Sequence, residues 1–169
     1  MLVLGVDPGS AITGFGLIKE AGNKLSAVDY GCIRTSTSQS TETRLQIIYR
    51  EIKAIIKKYE PDHFAVEELF FNKNVRTALT VGQARGVIML AGAESGLQVH
   101  EYTPLQVKQA VVGYGRADKT QIQFMVKTIL SLPKIPKPDD VADALAIAIC
   151  HTHYFKSAGF ILNQQGPTA

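Results

Sequence analysis

Four acidic residues stand where chain elements begin or end. Asp7 closes the apolar run Leu2-Val3-Leu4-Gly5-Val6 and precedes the turn signal Pro8-Gly9-Ser10. Glu67 closes a second short run, His63-Phe64-Ala65-Val66. Asp140 and Asp143 lie three apart at the start of a helical stretch, so they share one face. If the two runs are neighbouring strands and the helix crosses their ends, the four carboxylates converge. Like charges packed together raise one another's pKa and cost stability unless a cation neutralises them. Oxygen donors of this kind suit Mg2+ or Mn2+. Two such ions ~3.5–4 Å apart can clamp the attacking and leaving oxygens of a phosphodiester. Each acid alone has a plainer reading. Asp7 fits a turn residue before Pro8-Gly9, Glu67 with Glu68 an exposed pair, and Asp139 and Asp140 a helix cap and first-turn acid. Asp143 directly precedes the apolar run Ala144 to Ile149, so a buried face is near. Shared placement carries the case.

The elements that must position these acids follow from hydrophobic period. Leu2 to Val6 reads as a buried central strand. Ile12 to Ile18 and Leu25 to Thr35 complete an antiparallel meander. Gly14 and Gly16 within it signal a bulge or the close approach of another backbone. Leu45, Ile48, Ile52, Ile55, Ile56 and Tyr59 stripe a helix that Ser40 or Thr41 caps and Pro61 stops. That helix is a crossover making the fourth strand, His63 to Glu67, parallel to a neighbour. A helix from Asn74 to about Glu94 carries the small residues Gly82, Ala84 and Gly86, suited to close approach within the core or across a subunit interface. Leu97 to Tyr102 is the fifth strand, and Thr103-Pro104 starts a helix ending at Gly113. Two further helices follow, one opened by Lys119 and the last from Asp139 to about Tyr154. The expected architecture is α/β, a mixed five-stranded sheet flanked by helices. One domain spans residues 1–155, and residues 156–169, without periodicity, form a mobile tail.

With 169 residues, 46% hydrophobic and 20% charged, the chain suits a single globular domain and argues against disorder or a rod. No apolar run reaches the ~18 residues of a membrane helix, and Asp7-Pro8-Gly9 interrupts the place where a secretory leader would be apolar. Cys32 and Cys150 are too few for a disulfide scaffold and read as buried free thiols of a cytoplasmic protein. The net charge of +3 is unevenly spread. Between Lys73 and Lys137 nine basic residues oppose Glu94, Glu101 and Asp118, so this segment is +6 and the remainder −3. An acidic site on a body able to meet an anion is one reading, and a scatter of solvated lysines the other.

Leu4-Gly5-Val6-Asp7-Pro8-Gly9-Ser10 followed by Thr13-Gly14-Phe15-Gly16 resembles the opening of the RuvC family of bacterial Holliday junction resolvases. Matching blocks follow in family order: Phe64 to Glu67, Gly82-Gln83-Ala84-Arg85-Gly86, Gln106-Val107-Lys108-Gln109 and Ala142 to Ala148. The resemblance implies a ribonuclease-H-like fold, a homodimer, and Mg2+-dependent cleavage of four-way DNA junctions by symmetric nicks leaving 5′-phosphate and 3′-hydroxyl ends. It places two ions per site, with Mn2+ a substitute, on Asp7, Glu67, Asp140 and Asp143. Asp139 beside Asp140 leaves the third ligand open by one residue; the family's spacing to Asp143 favours Asp140. The resemblance further implies DNA contacts at Lys108 and Lys119, an aromatic at Phe70 set against bases near the junction centre, and the RuvA–RuvB branch-migration complex as partner. Lys73, Arg76 and Arg116 from the basic segment join these candidate DNA contacts. His151 and His153, two apart, do not share a helix face and read as structural, with a zinc role the alternative left open.

Other functions remain open to the sequence. A related ribonuclease-H-like nuclease acting on RNA has the same acids. A non-catalytic junction-binding module has no need of all four. An actin-like phosphate-binding ATPase shares the Asp-Pro-Gly-Ser turn and the meander, but needs two domains closing over a nucleotide.

Overall fold

The computed structural model describes residues 1–68 and 75–164, with side chains at 1–68 and 77–157. Strands β1 (Leu2–Asp7), β2 (Ile12–Ala21) and β3 (Lys24–Arg34) lead into helix α1 (Thr41–Tyr59), strand β4 (His63–Glu67) and helix α2 (Val75–Glu94). Strand β5 (Val99–Tyr102) and helices α3 (Pro104–Val112), α4 (Lys119–Ile129) and α5 (Asp139–Gln164) complete the chain. The sheet order is β3-β2-β1-β4-β5. β2 is antiparallel to β1 and β3, whereas β4 is parallel to β1 and β5. The α1 crossover accounts for that switch, since a parallel neighbour cannot be reached by a tight turn.

Alternation along each strand divides two cores. Val3 and Ala65 face α3, α4 and α5. Leu4, Val6, Phe64 and Val66 face α1 and α2. With a period of two, Asp7 continues the Val3 face and Glu67 the Ala65 face, so both acids lie on the α5 side.

Local chemistry sets the helix ends. The Ser40 hydroxyl accepts from the Thr43 N–H to start α1, and Glu60, in the left-handed region at φ 46°, ends it just before Pro61. Thr103 with Gln106, and Asp118 with Gln121, form reciprocal capping boxes on α3 and α4. The predicted start of α2 at Asn74 lies outside the described residues. Helix α5 runs to Gln164, ten residues past the expected end at Tyr154. Most of the segment expected to be a mobile tail is therefore helical. Cys150 is buried, but Cys32 is only half-buried, short of the expected burial.

Candidate active site

Close backbone approach positions α5. A Cβ on Gly14 would overlap the backbone carbonyl of Asp140, and one on Gly5 would lie 2.7 Å from the amide nitrogen of Ala148. One on Gly16 would lie 2.6 Å from Leu145 Cδ2. These three glycines strip the sheet of side chains along the α5 track. Close approach, one of the two readings of Gly14 and Gly16, is what the packing needs. The irregularity in β2 pairing falls between Leu17 and Ile18 instead.

The Asp7 turn is closed locally. Thr13, fully buried, donates from Oγ1 to the Gly9 carbonyl at 2.6 Å. Thr35 Oγ1 donates to Ser10 O at 2.6 Å and accepts from Arg44 Nε at 3.0 Å. The end of β4 is held from the other side: Arg85 Nε donates to the Glu67 carbonyl at 3.1 Å, and its guanidinium pairs with Glu101. Glu68 N–H donates to the Tyr102 carbonyl at 2.9 Å. Arg85, counted with the basic segment from sequence, thus turns inward and fixes β4. Its place in the Gly82–Gly86 block is the only sequence signal for that role.

The register pairs Val6 with Val66 across the parallel strands, so Asp7 and Glu67 leave the sheet side by side. Burial, then Glu67, Asp143 and Asp140 in that order, push the Asp7 carboxyl up to about 8, with Lys119 opposing. Burial, then Asp143, push Glu67 up to about 7, against Lys119 and Lys108. Burial also raises Asp143, against the pull of Lys119. The four predicted acids are therefore brought together. Asp139 lies at the edge of the group: it acts on Asp143, but its Oδ1 accepts from Lys137 Nζ at 2.8 Å, which holds its carboxyl low. Asp140, not Asp139, is among the acids acting on Asp7.

Beside the acids opens a cleft of about 240 Å³ lined by Glu67, Asp143, Lys108, Lys119 and the apolar side chains of Val107, Ile122 and Ala146. Lys119 Nζ stands 3.3 Å from Asp143 Oδ2 and 3.5 Å from Asp139 Oδ2. Burial works against its charge, but these two carboxylates prevail and hold it above its ordinary value. Arg116 is exposed on the α3–α4 loop. Phe70 and Lys73 lie outside the described residues, as does the side chain of Arg76. An oxygen-only donor set with too few cations to balance it is the chemistry that hard divalent ions take.

This charge imbalance predicts an unusual pH dependence. Asp7 and Glu67 have ordinary values of 3.8 and 4.5, and folding raises both. Their stabilising contribution is complete below those ordinary values and is lost as pH rises through about 7 and then about 8. His151 shifts the opposite way, from 6.5 down to about 3, so its effect is confined to lower pH. In chelator, Tm is expected to fall between about pH 6.5 and pH 8.5, and saturating Mg2+ to flatten the slope. A thermal-melt series in which the metal-free Tm rises over that interval would contradict the carboxylate packing.

Comparison with known proteins gives a consistent picture. The family model described as Crossover junction endodeoxyribonuclease RuvC matches residues 3–151. The protein of that name from Pelotomaculum thermopropionicum is 66% identical over 155 residues, covering 92% of this chain and 94% of its own. That from Desulfitobacterium hafniense is 61% identical over 166 residues, 98% of each chain. Among solved structures, T. thermophilus RuvC in complex with a Holliday junction substrate superposes with a TM-score of 0.89 at 35% identity, covering 94% of this chain and 96% of its own.

Proposed function

The chain belongs to the RuvC family of crossover junction endodeoxyribonucleases, and from that membership we propose that Asp7, Glu67, Asp140 and Asp143 are its catalytic carboxylates and the ligands of Mg2+. Its fold is ribonuclease-H-like, and it is a Holliday junction resolvase, a metal-dependent endonuclease of DNA recombination and repair. The observation that carries the site assignment is the buried convergence of acids at the ends of β1 and β4 and the start of α5.

The residues fit a hard cation because their own burial and repulsion leave negative charge unmet. Once bound, a pair of divalent ions supplies Lewis-acid stabilisation and a water of lowered pKa. Asp7 and Glu67 would hold such ions as carboxylates. Lys119, kept charged by Asp143 and Asp139, orients the Asp143 carboxylate and meets charge developing on the phosphate. Lys108 faces the same cleft and offers a second cation to the backbone. With Lys108 and Lys119, the residues Arg116, Phe70, Lys73 and Arg76 are the proposed DNA contacts. RuvA–RuvB is the partner and the cytoplasm the compartment that family membership supports. Among the described residues, no helix is long and apolar enough to cross a membrane.

Two symmetric nicks need two copies of the site. The outer face of α2 is the proposed contact: Leu79 is 63% exposed, Leu90 49% exposed, and between them a Cβ on Gly86 would meet nothing within 4 Å. A synthetic four-way junction with Mg2+ and mapped ends is expected to yield paired nicks with 5′-phosphate ends. A junction bound but left intact, or structured RNA cut in preference, would overturn the reading. Leu90→Arg is expected to shift the protein to monomer in sedimentation and to break the pairing of nicks. A variant that stays dimeric would exclude this face.

A further inference from the structure

We propose that His63, His100 and His151 form a second cation site, selective for a transition metal of the Zn2+ class and separate from the carboxylates. They come from β4, β5 and α5, and their ligating nitrogens lie within 4.8 Å of one another. His63 Nδ1 stands 2.7 Å from His151 Nε2. The His100 ring centroid is 4.5 Å from that of His151 and 5.6 Å from that of His63.

The surroundings are those of a ligand set. Tyr102 Oη lies 2.9 Å from His151 Nδ1. A proton on Nδ1 donated to that oxygen leaves the Nε2 lone pair aimed at the other two rings, as outer-shell partners do for metal-binding histidines. His151 is fully buried. Burial, then His100 and His63, keep it neutral, and burial with His63 also lowers His100. Neutral imidazole is the ligating form. No carboxylate is among the groups acting on either ring. A nitrogen-only donor set suits Zn2+, Co2+, Ni2+ or Cu2+ rather than Mg2+. His63 and His100 are half-buried, which leaves a path from solvent and room for water as a fourth ligand. Phe155 packs its ring edge-on against His63 at 4.4 Å and stacks on His151 at 5.6 Å.

The site is well separated from the acids, although it shares their elements. His63 and Glu67 lie four residues apart on one face of β4, or ~13 Å. His151 and Asp143 lie eight apart on α5, or ~12 Å. A cation there ties α5 to β4 and β5, the elements that carry the carboxylates.

The test uses the full, tag-free chain with excess Mg2+ present to occupy the acids. One equivalent of Co2+ is expected to give the intense visible bands of a tetrahedral nitrogen site, and Zn2+ to displace it and raise Tm. X-ray absorption on the Zn2+ form is expected to count about three imidazoles. His63→Gln and His100→Asn should each weaken binding at least roughly tenfold. Absence of binding at micromolar metal, an oxygen-only shell, or unchanged affinity in both variants would overturn the proposal. A simple hydrogen-bonded chain from His63 through His151 to Tyr102 would give the first of these results.

Discussion

Asp7→Asn is expected to abolish strand cleavage while four-way junction binding stays near its original strength. Asn keeps the shape of the side chain and removes the charge. That charge sits where burial and three neighbouring acids already oppose it, which is tolerable in a site that a cation completes. Disturbing even an outer-shell partner of a metal typically costs ~10–100-fold, so loss of a proposed direct ligand should exceed that range. Binding should survive because phosphates are met by Lys and Arg side chains, and removing an anion from the cleft reduces repulsion. The same variant should melt higher than the parent in chelator at about pH 8, where the parent's Asp7 is ionising, and should lose much of the parent's slope. Cleavage assays on a labelled junction, with gel-shift and thermal melts alongside, read all three. Cleavage near the parent rate would remove Asp7 from the metal site.

Gly14→Ala is the second large effect, and it acts without touching a side chain of the site. The new methyl overlaps the Asp140 carbonyl, so the start of α5 must move. Overpacking of this kind costs ~1–3 kcal/mol, or about 2–12 °C in Tm at ~2–4 °C per kcal/mol. A displacement of about 1 Å at catalytic groups can cost ~100-fold in rate, so cleavage should fall further than the lost stability explains. Gly16→Ala supplies the contrast: its nearest obstacles are Leu145 Cδ2 at 2.6 Å and Cγ at 2.8 Å, side-chain atoms rather than the backbone of Asp140. It should lose stability yet keep more activity than Gly14→Ala. A Gly14→Ala protein with parental Tm and cleavage would show that α5 is seated by something else.

The sequence exposes much of this arrangement because the acids mark element ends. Strand β1 ends at Asp7 and strand β4 at Glu67, and a helix as long as α1 between them dictates the parallel pairing that sets them side by side. Other features depend on contacts that no local pattern carries. Residues 154–157 of α5 are exposed, so its apolar periodicity fades before the helix does. Arg85 looks like one more surface cation until Glu101 and the Glu67 carbonyl are seen around it. The Lys137 Nζ contact to Asp139, which bears on the proposed choice of Asp140 as third ligand, is likewise invisible in the spacing alone. The spacing of His151 and His153 along one helix says nothing of His63 and His100, which arrive from two strands.

Helix α2 faces two ways at consecutive residues. Arg85 grips the carbonyl of Glu67, and Gly86 opens on solvent beside the exposed Leu90. The helix is therefore a common wall, with a carboxylate hung from its inner side and the proposed second copy resting on its outer side. Through the bond from Arg85 to Glu67, the helix that anchors the end of β4 is also the one that would carry the second copy. A substitution on the outer face of α2 therefore bears on the same element that holds the end of β4 in place.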